Sequence, residues 1–253
     1  MNLKDNFNKE MTINFNKDDY WLNINKPIGK SSAHIVAIIK KITGAKKVGH
    51  GGTLDPFASG VLPIAVNKST KQSALIMDWT KKYYFRIVFG QFRDSDDVTG
   101  NIVEESNQRV SKQQFVKSLA NFCGNIKQIP SKFSAIKING KRSYELARQG
   151  LQYDMPSRDI SIYSLKLLDY NDIFCDIEVE CSKGTYIRSL AHDICRFNNI
   201  CGYVAKLERV AVGNFLLNNA ILLDDLNYVI NMKQSLKDGS LLDMHSMSIL
   251  KKR

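Results

Sequence analysis

Two neighbouring segments, Ile160 to Leu168 and Ile173 to Cys181, alternate apolar and polar residues with a period of two. That period places one set of side chains on a buried face and the other in solvent, as in a half-covered sheet. The chain therefore needs other elements to cover that face. Trp21 to Asn25, Val61 to Val66 and Tyr83 to Phe89 read as further strands from their apolar, β-branched and aromatic content. A helix follows the turn Lys26-Pro27-Ile28-Gly29: Ser31 or Ser32 caps it, Ile35, Val36, Ile38, Ile39 and Ile42 form its stripe, and Gly44 ends it. Ser111 to Phe122 and Tyr186 to Phe197 read as two more, and helical material is expected as far as Met232. With no repeat and no Pro/Gly/Ser-rich linker, the economical architecture is one α+β domain of about eight strands flanked by helices. Its ordered part is expected over 20–253, after a mobile leader at 1–19.

Thirty-six Lys and Arg against 25 Asp and Glu leave a net charge of +11 on 253 residues. Such an excess favours a polyanionic partner, RNA or DNA before membrane, because basic side chains displace counterions condensed on phosphates. No run approaches the length of a transmembrane helix, and the polar start lacks the apolar centre of a signal peptide, so a cytoplasmic protein is expected. The cysteines, Cys123, Cys175, Cys181, Cys195 and Cys201, are odd in number and lack C-x-x-C spacing, and they are expected as reduced core residues.

Several chemical motifs fail on spacing. Gly29-Lys30-Ser31 resembles the end of a P-loop, but Ile24 stands where the first glycine belongs. Asp94, Asp96 and Asp97 match a calcium loop in neither register and read as a solvated acidic turn. His34, His50, His192 and His245 have no metal-ligand spacing, so no metal is expected. Asn67-Lys68-Ser69 has the letters of a glycosylation sequon but no secretory signal before it.

Between Trp21 and Met77 there is one carboxylate, Asp55, among eight lysines. Positive surroundings favour its ionised form. It lies in Gly49-His50-Gly51-Gly52-Thr53-Leu54-Asp55-Pro56, where glycines permit close approach and proline stiffens the chain. The residues alone allow either a plain turn or a rigidly held nucleophile. Over 124–152, Lys127, Lys132, Lys137, Lys141, Arg142 and Arg148 stand against Glu145 alone, with Phe133 and Tyr144 between them. This composition suits an RNA-facing insertion, or a solvated excursion with core aromatics.

The run Val48 to Leu62, V-G-H-G-G-T-L-D-P-F-A-S-G-V-L, resembles the signature of the bacterial tRNA pseudouridine-55 synthases, the TruB family. Further motifs follow in the family's order: Lys26-Pro27-x-Gly29-x-Ser31-Ser32, Lys82-Tyr83 before an apolar strand, Ile129 to Gly150, Cys181 to Arg188, and Leu207-x-Arg209. The resemblance runs from about Trp21 to Leu242 and implies the pseudouridine-synthase fold, with a mainly antiparallel mixed sheet and an RNA-binding insertion. It implies Asp55 as nucleophile, Tyr83 packing on the target base, and Arg188 pairing with Asp55. Leu207 would line the uracil pocket, Lys26 would support the site, and His50 would fill the gap left by the extruded base. The insertion's Lys132, Lys137, Lys141, Arg142 and Arg148 would contact RNA. The implied reaction converts uridine-55 of the tRNA T-loop to pseudouridine without cofactor or guide RNA, by a monomer. The rival is a non-catalytic RNA-binding or tRNA-folding protein on the same fold.

The chain departs from the family pattern at Pro130-Ser131 in place of tandem prolines, at Phe133 in place of tyrosine, and at Arg93 and Ser95 before Asp97. It is expected to stop where the catalytic domain ends, without the family's C-terminal PUA domain. Weaker, more salt-sensitive tRNA binding would follow.

Overall fold

The computed structural model describes residues 18–226. In chain order the elements are β1 (Tyr20–Lys26), α1 (Ser32–Thr43), β2 (Val48–His50), β3 (Ser59–Val66), α2 (Ser73–Met77), β4 (Lys81–Phe89), β5 (Gln91–Arg93), β6 (Ile102–Glu105) and α3 (Lys112–Leu119). They continue with β7 (Gly124–Gln128), β8 (Lys137–Ile138), β9 (Lys141–Arg142), α4 (Ser143–Arg148), β10 (Arg158–Tyr170), β11 (Phe174–Cys181), α5 (Ile187–Phe197), β12 (Gly202–Val212), β13 (Phe215–Leu216) and β14 (Ile221–Leu222). Most of the expected leader, the end of the helical material near Met232, His245 and the C-terminal tail lie outside the described residues. Asp18 and Asp19 do not: Asn67 Nδ2 donates to the Asp18 carbonyl and the Lys68 N–H to Asp19 Oδ1, each at 2.9 Å.

The central sheet has ten strands in the order β14-β1-β3-β12-β4-β11-β10-β7, with β2 paired to β3 and β13 to β12. Eight strands form the path, and the two short ones beside it carry too few residues to show a period. Pairing is antiparallel except β1 with β14 and β12 with β3. The alternating segments become the β10–β11 hairpin, closed by Asn171 Oδ1, which accepts from the N–H groups of Ile173 and Phe174 at 2.8 and 2.9 Å. Their inward residues, with those of β4 and β12, pack under α5 and α3 in one large apolar cluster. A second cluster joins Ile35 and Ile39 of α1 to Leu62, Ile64 and Val66 of β3. Val61 faces the other way, against Ile76 of α2.

Ser31 Oγ accepts the His34 N–H at 3.1 Å to cap α1, and Gly44 ends the helix at φ +64°. The α-helix starting after Ser111 stops at Leu119 and tightens into a 3₁₀ turn through Phe122. Among the described residues no helix is long and apolar enough to cross a membrane.

Three expectations need correction. Residues 124–128 are not part of the basic excursion: they form β7, the edge strand paired with β10. Cys123 is exposed, whereas Cys175, Cys181, Cys195 and Cys201 are buried thiols. The acidic turn is only partly solvated: Asp94 and Asp96 are half-buried, but Ser95 and Asp97 are buried, because Asp97 has a cationic partner in the interior.

Candidate active site

The glycine-rich loop between β2 and β3 is held from several sides. The Gly29 N–H donates to the Pro56 carbonyl at 2.7 Å, and the Gly51 N–H to the Pro63 carbonyl at 2.8 Å. Buried Ser32 meets both polar groups of the Leu54 backbone, donating to its carbonyl and accepting from its N–H, each at 2.9 Å. Lys26, fully buried, gives its ammonium to the carbonyls of Pro27 and Lys30 at 2.8 Å and of Pro56 at 3.4 Å. Burial pulls its pKa down to about 8, opposed by the charge of Asp55 and assisted by Arg209.

Arg209 supports the loop from beneath. Its guanidinium, 1% exposed, donates to the carbonyls of Val61 at 2.8 Å, Gly52 at 3.1 Å and Thr53 at 3.2 Å. Its backbone pairs with Gly60 on one side and Tyr83 on the other. Gly60, at φ +106°, lies so close that an added Cβ would stand 2.3 Å from the Arg209 carbonyl oxygen. This juncture of β3, β12 and β4 fixes where Asp55 emerges.

Asp55 meets Arg188, the second residue of α5. Arg188 Nε donates to Oδ2 at 2.9 Å and Nη2 to Oδ1 at 3.3 Å, a bidentate pair that fixes the direction of the carboxylate. The arginine side chain is 4% exposed and that of Asp55 32%, so the carboxylate is backed by the interior and open toward solvent. Arg188 Nη1 also donates to the Ser95 carbonyl at 2.9 Å and lies 3.3 Å from Asp97 Oδ2. Burial works against the guanidinium's charge, but Asp55, Asp97 and Asp96 outweigh it and raise its pKa. Asp97 is itself oriented by Ser95 Oγ and the Thr99 N–H, each donating to Oδ1 at 2.9 Å.

Tyr83 and Leu207 lie in one buried cluster with Leu54 and Phe57. Burial pushes the Tyr83 phenol up to about 12 against the nearby charge of Arg209. His50 closes β2, where its Nδ1 accepts the Gly52 N–H at 3.3 Å. Burial first, then Arg209, lowers its pKa and favours neutral imidazole. Asp55, Arg188, Lys26 and His50 thus meet on or beside one loop, with Tyr83 and Leu207 in the adjoining apolar wall.

The TruB family pseudouridylate synthase model, N-terminal domain, matches residues 40–187. The chain belongs to this family. It is 44% identical over 213 residues to tRNA pseudouridine synthase B of Ehrlichia chaffeensis, covering 83% of this chain and 72% of that protein. It is 41% identical over 231 residues to the protein of the same name from Rickettsia bellii, covering 89% and 79%. Among solved structures, the chain resembles one in a Cbf5–Nop10–Gar1 complex with a TM-score of 0.68 and 28% identity, over 87% of this chain and 56% of that one. It resembles one in an H/ACA RNP bound to a substrate RNA containing 2′-deoxyuridine with a TM-score of 0.65 and 26% identity, over 87% and 56%. The chain therefore spans little more than half of those structural neighbours.

In this TruB family chain the basic excursion is wired to the arginine. Arg188 Nη2 donates to the Phe133 carbonyl at 3.0 Å, and the Ser131 N–H to Ser189 Oγ at 2.9 Å. Gln128 and Tyr186 exchange two hydrogen bonds at 2.8 and 3.0 Å at the root of α5. Beyond this root, Asn139 at φ +48° and Gly140 at φ +85° turn the β8–β9 hairpin. Lys132, Lys137, Lys141, Arg142 and Arg148 are all exposed on the excursion. Reading the sequence missed the roles of Arg209, Asp97 and Ser32. Arg209 and Ser32 stood inside recognised motifs, and only the third dimension shows that their side chains bind the loop.

Proposed function

We propose that the chain converts uridine-55 in the T-loop of tRNA to pseudouridine, with Asp55 as the catalytic carboxylate. The bidentate Arg188–Asp55 pair on the clamped loop carries this reading, and the names of the 41–44% identical relatives support tRNA as substrate. A uridine stacked in a folded loop must swing out before its C1′ can meet a side chain. Tyr83 and Leu207 would offer the aromatic and apolar wall for the extruded base, and His50 would fill the vacated stack.

One carboxylate suffices because no water enters the reaction, whereas hydrolytic glycosidases normally use two. The N1–C1′ bond breaks, either as Asp55 attacks C1′ or as a C2′ proton is removed to give a glycal. The uracil turns, and C5 bonds to C1′. C5 then loses its proton to solvent while N1, freed from C1′, takes one up, and in the glycal route C2′ regains the proton it lost, so the product is an isomer of the substrate and no redox cofactor is consumed. Arg188 holds Asp55 toward the ribose throughout. Lys132, Lys137, Lys141, Arg142 and Arg148 would engage backbone phosphates. The reading places a monomer in the cytoplasm, acting on tRNA without a guide RNA.

Release of tritium from C5-labelled uridine in a bare, unmodified tRNA transcript tests this. Wild type should release it. Asp55→Asn, and RNA with cytidine at the target, should not. Tight binding without release by wild type would establish the RNA-binding reading instead.

A further inference from the structure

The turn between β5 and β6, residues 94–101, brings Asp97 to Arg188, and a second side chain of α5 meets the acid beside it. His192 stands four residues after Arg188, one turn further along the same face of the helix. Its buried Nδ1 lies 2.9 Å from Asp96 Oδ1, while Arg188 Nη1 lies 3.3 Å from Asp97 Oδ2. Adjacent acids thus meet adjacent turns of one helix. The Asp96 contact is close but off the line of an aligned hydrogen bond, so it is mainly electrostatic. A bare ring nitrogen at that distance would set its lone pair against those of the carboxylate, so Nδ1 carries a hydrogen. Nε2 accepts from Arg196 Nε at 3.5 Å, which suits the acceptor nitrogen of that tautomer.

The backbone of the turn is constrained from the other side. Asp96 sits at φ +61°, a left-handed conformation that a residue with a side chain keeps where its surroundings hold it. Its N–H donates to the Arg93 carbonyl and its carbonyl accepts the Val204 N–H, each at 3.0 Å. The main chain therefore fixes Asp96 against β12, and His192 fixes it against α5. The strands of the hairpin have their own ties to α5. Arg196 donates to Glu104 from both Nη atoms, at 3.1 and 2.7 Å, and the Phe92 ring lies 4.6 Å from the imidazole and 3.9 Å from Arg196 Cζ. Those ties hold the strands, and His192 holds the turn. We propose that His192 is a positioning residue for the isomerisation: by holding Asp96 it seats the turn on α5 so that Asp97 faces Arg188, and Arg188 in turn faces Asp55. The proposal rests on the reading of Asp55 as the catalytic carboxylate. A turn anchored at one acid can pivot about it, whereas two anchors one helical turn apart, about 5.4 Å, fix its direction as well. No tRNA contact is involved, so the effect belongs to rate and not to affinity.

The test measures the single-turnover rate at saturating enzyme and tRNA affinity separately. His192→Leu removes the polar contact and keeps most of the volume. It should slow isomerisation about tenfold and leave affinity within about twofold, since misplacing a positioned group by about 1 Å can slow a reaction about a hundredfold. His192→Asn restores an N–H donor near the place of Nδ1 and should recover most of the loss. Asp96→Gly removes the same contact from the turn without strain at a positive φ, and it should reproduce the fall even if the His192 variants fold poorly. Glu104→Gln loosens the Arg196 tie and should keep the wild-type rate. In an Asp97→Asn background His192→Leu should slow the reaction by less than about twofold, because the turn then has no charge to aim. Equal factors in the two backgrounds, equal losses for Leu and Asn at 192, a matching fall in Glu104→Gln, or unchanged rates in His192→Leu and Asp96→Gly would each overturn the proposal. A wild type that binds tRNA but isomerises nothing overturns the catalytic reading and this proposal with it, whereas an active wild type beside unaffected variants overturns the proposal alone.

Discussion

Arg188 grips Asp55 with two hydrogen bonds, at 2.9 and 3.3 Å, from a guanidinium whose remaining nitrogen faces Asp97 at 3.3 Å. One buried cation thus serves two carboxylates of different exposure. Asp97 is locked in the interior, and Asp55 opens outward. Asp55→Asn keeps the shape but removes the carboxylate charge on which the proposed reaction depends. Arg188 retains Asp97 and the carbonyls of Ser95 and Phe133, so the fold should survive. If Asp55 is the catalytic carboxylate as proposed, isomerisation should fall at least about a thousandfold, while tRNA affinity changes far less. Single-turnover kinetics beside a filter-binding curve checks both.

Asp97→Asn tests the inner half of the network. Its amide removes the charge that faces Arg188 from the interior, leaving Asp55 as its ion-pair partner and the more distant Asp96, and unsettles the contacts from Ser95 and Thr99. Misplacing a positioned group by about 1 Å can slow a reaction about a hundredfold. A drop in kcat of about 10- to 100-fold is expected, with KM for tRNA little altered. A fall in KM-dependent binding alone would show that Asp97 is not acting through Arg188.

Gly60→Ala probes the juncture beneath the loop. The new Cβ would lie 2.3 Å from the Arg209 carbonyl, at a φ of +106° that L-residues avoid. Both effects destabilise, and together they should amount to about 3 kcal/mol or more. Urea unfolding gives the value. A neutral result would mean that β3 and β12 part easily and do not set the position of Asp55.

Much of this was legible in the sequence because it is local. Period-two alternation found β10 and β11, and the Ser31 cap with Gly44 found α1. The glycine-rich run located Asp55. What the sequence hid depends on distant pairing. Asp97 reads as an exposed acid until α5 places Arg188 over it. Arg209 reads as one more basic residue on a strand until the close approach at Gly60 shows it beneath the loop. Residues 124–128 were drawn into the excursion by Lys127, yet their backbone completes the sheet edge, which composition cannot report.

Lys81 and Lys26 give a pH dependence whose sign follows from their burial. Each is pulled down from 10.5 to about 8, chiefly by desolvation. The folded protein releases these protons near pH 8, while the unfolded chain holds them to above pH 10. Across that interval the unfolded state binds more protons, so this contribution makes stability rise with pH; below about pH 8 the penalty for burying the charge is fully present. Buried thiols oppose it higher up. Cys181 is pushed up from 9.0 to about 11, so it stays protonated when folded and weakens the fold as pH climbs past 9. The clean window is therefore between about pH 8 and 9. Lys81 donates to the carbonyls of Met77 and Trp79 and has no part in the proposed chemistry, which makes Lys81→Met the suitable probe. Urea midpoints measured across the window should rise less steeply for the variant than for wild type. Equal slopes would mean that the Lys81 ammonium is as well solvated in the folded protein as in the unfolded chain.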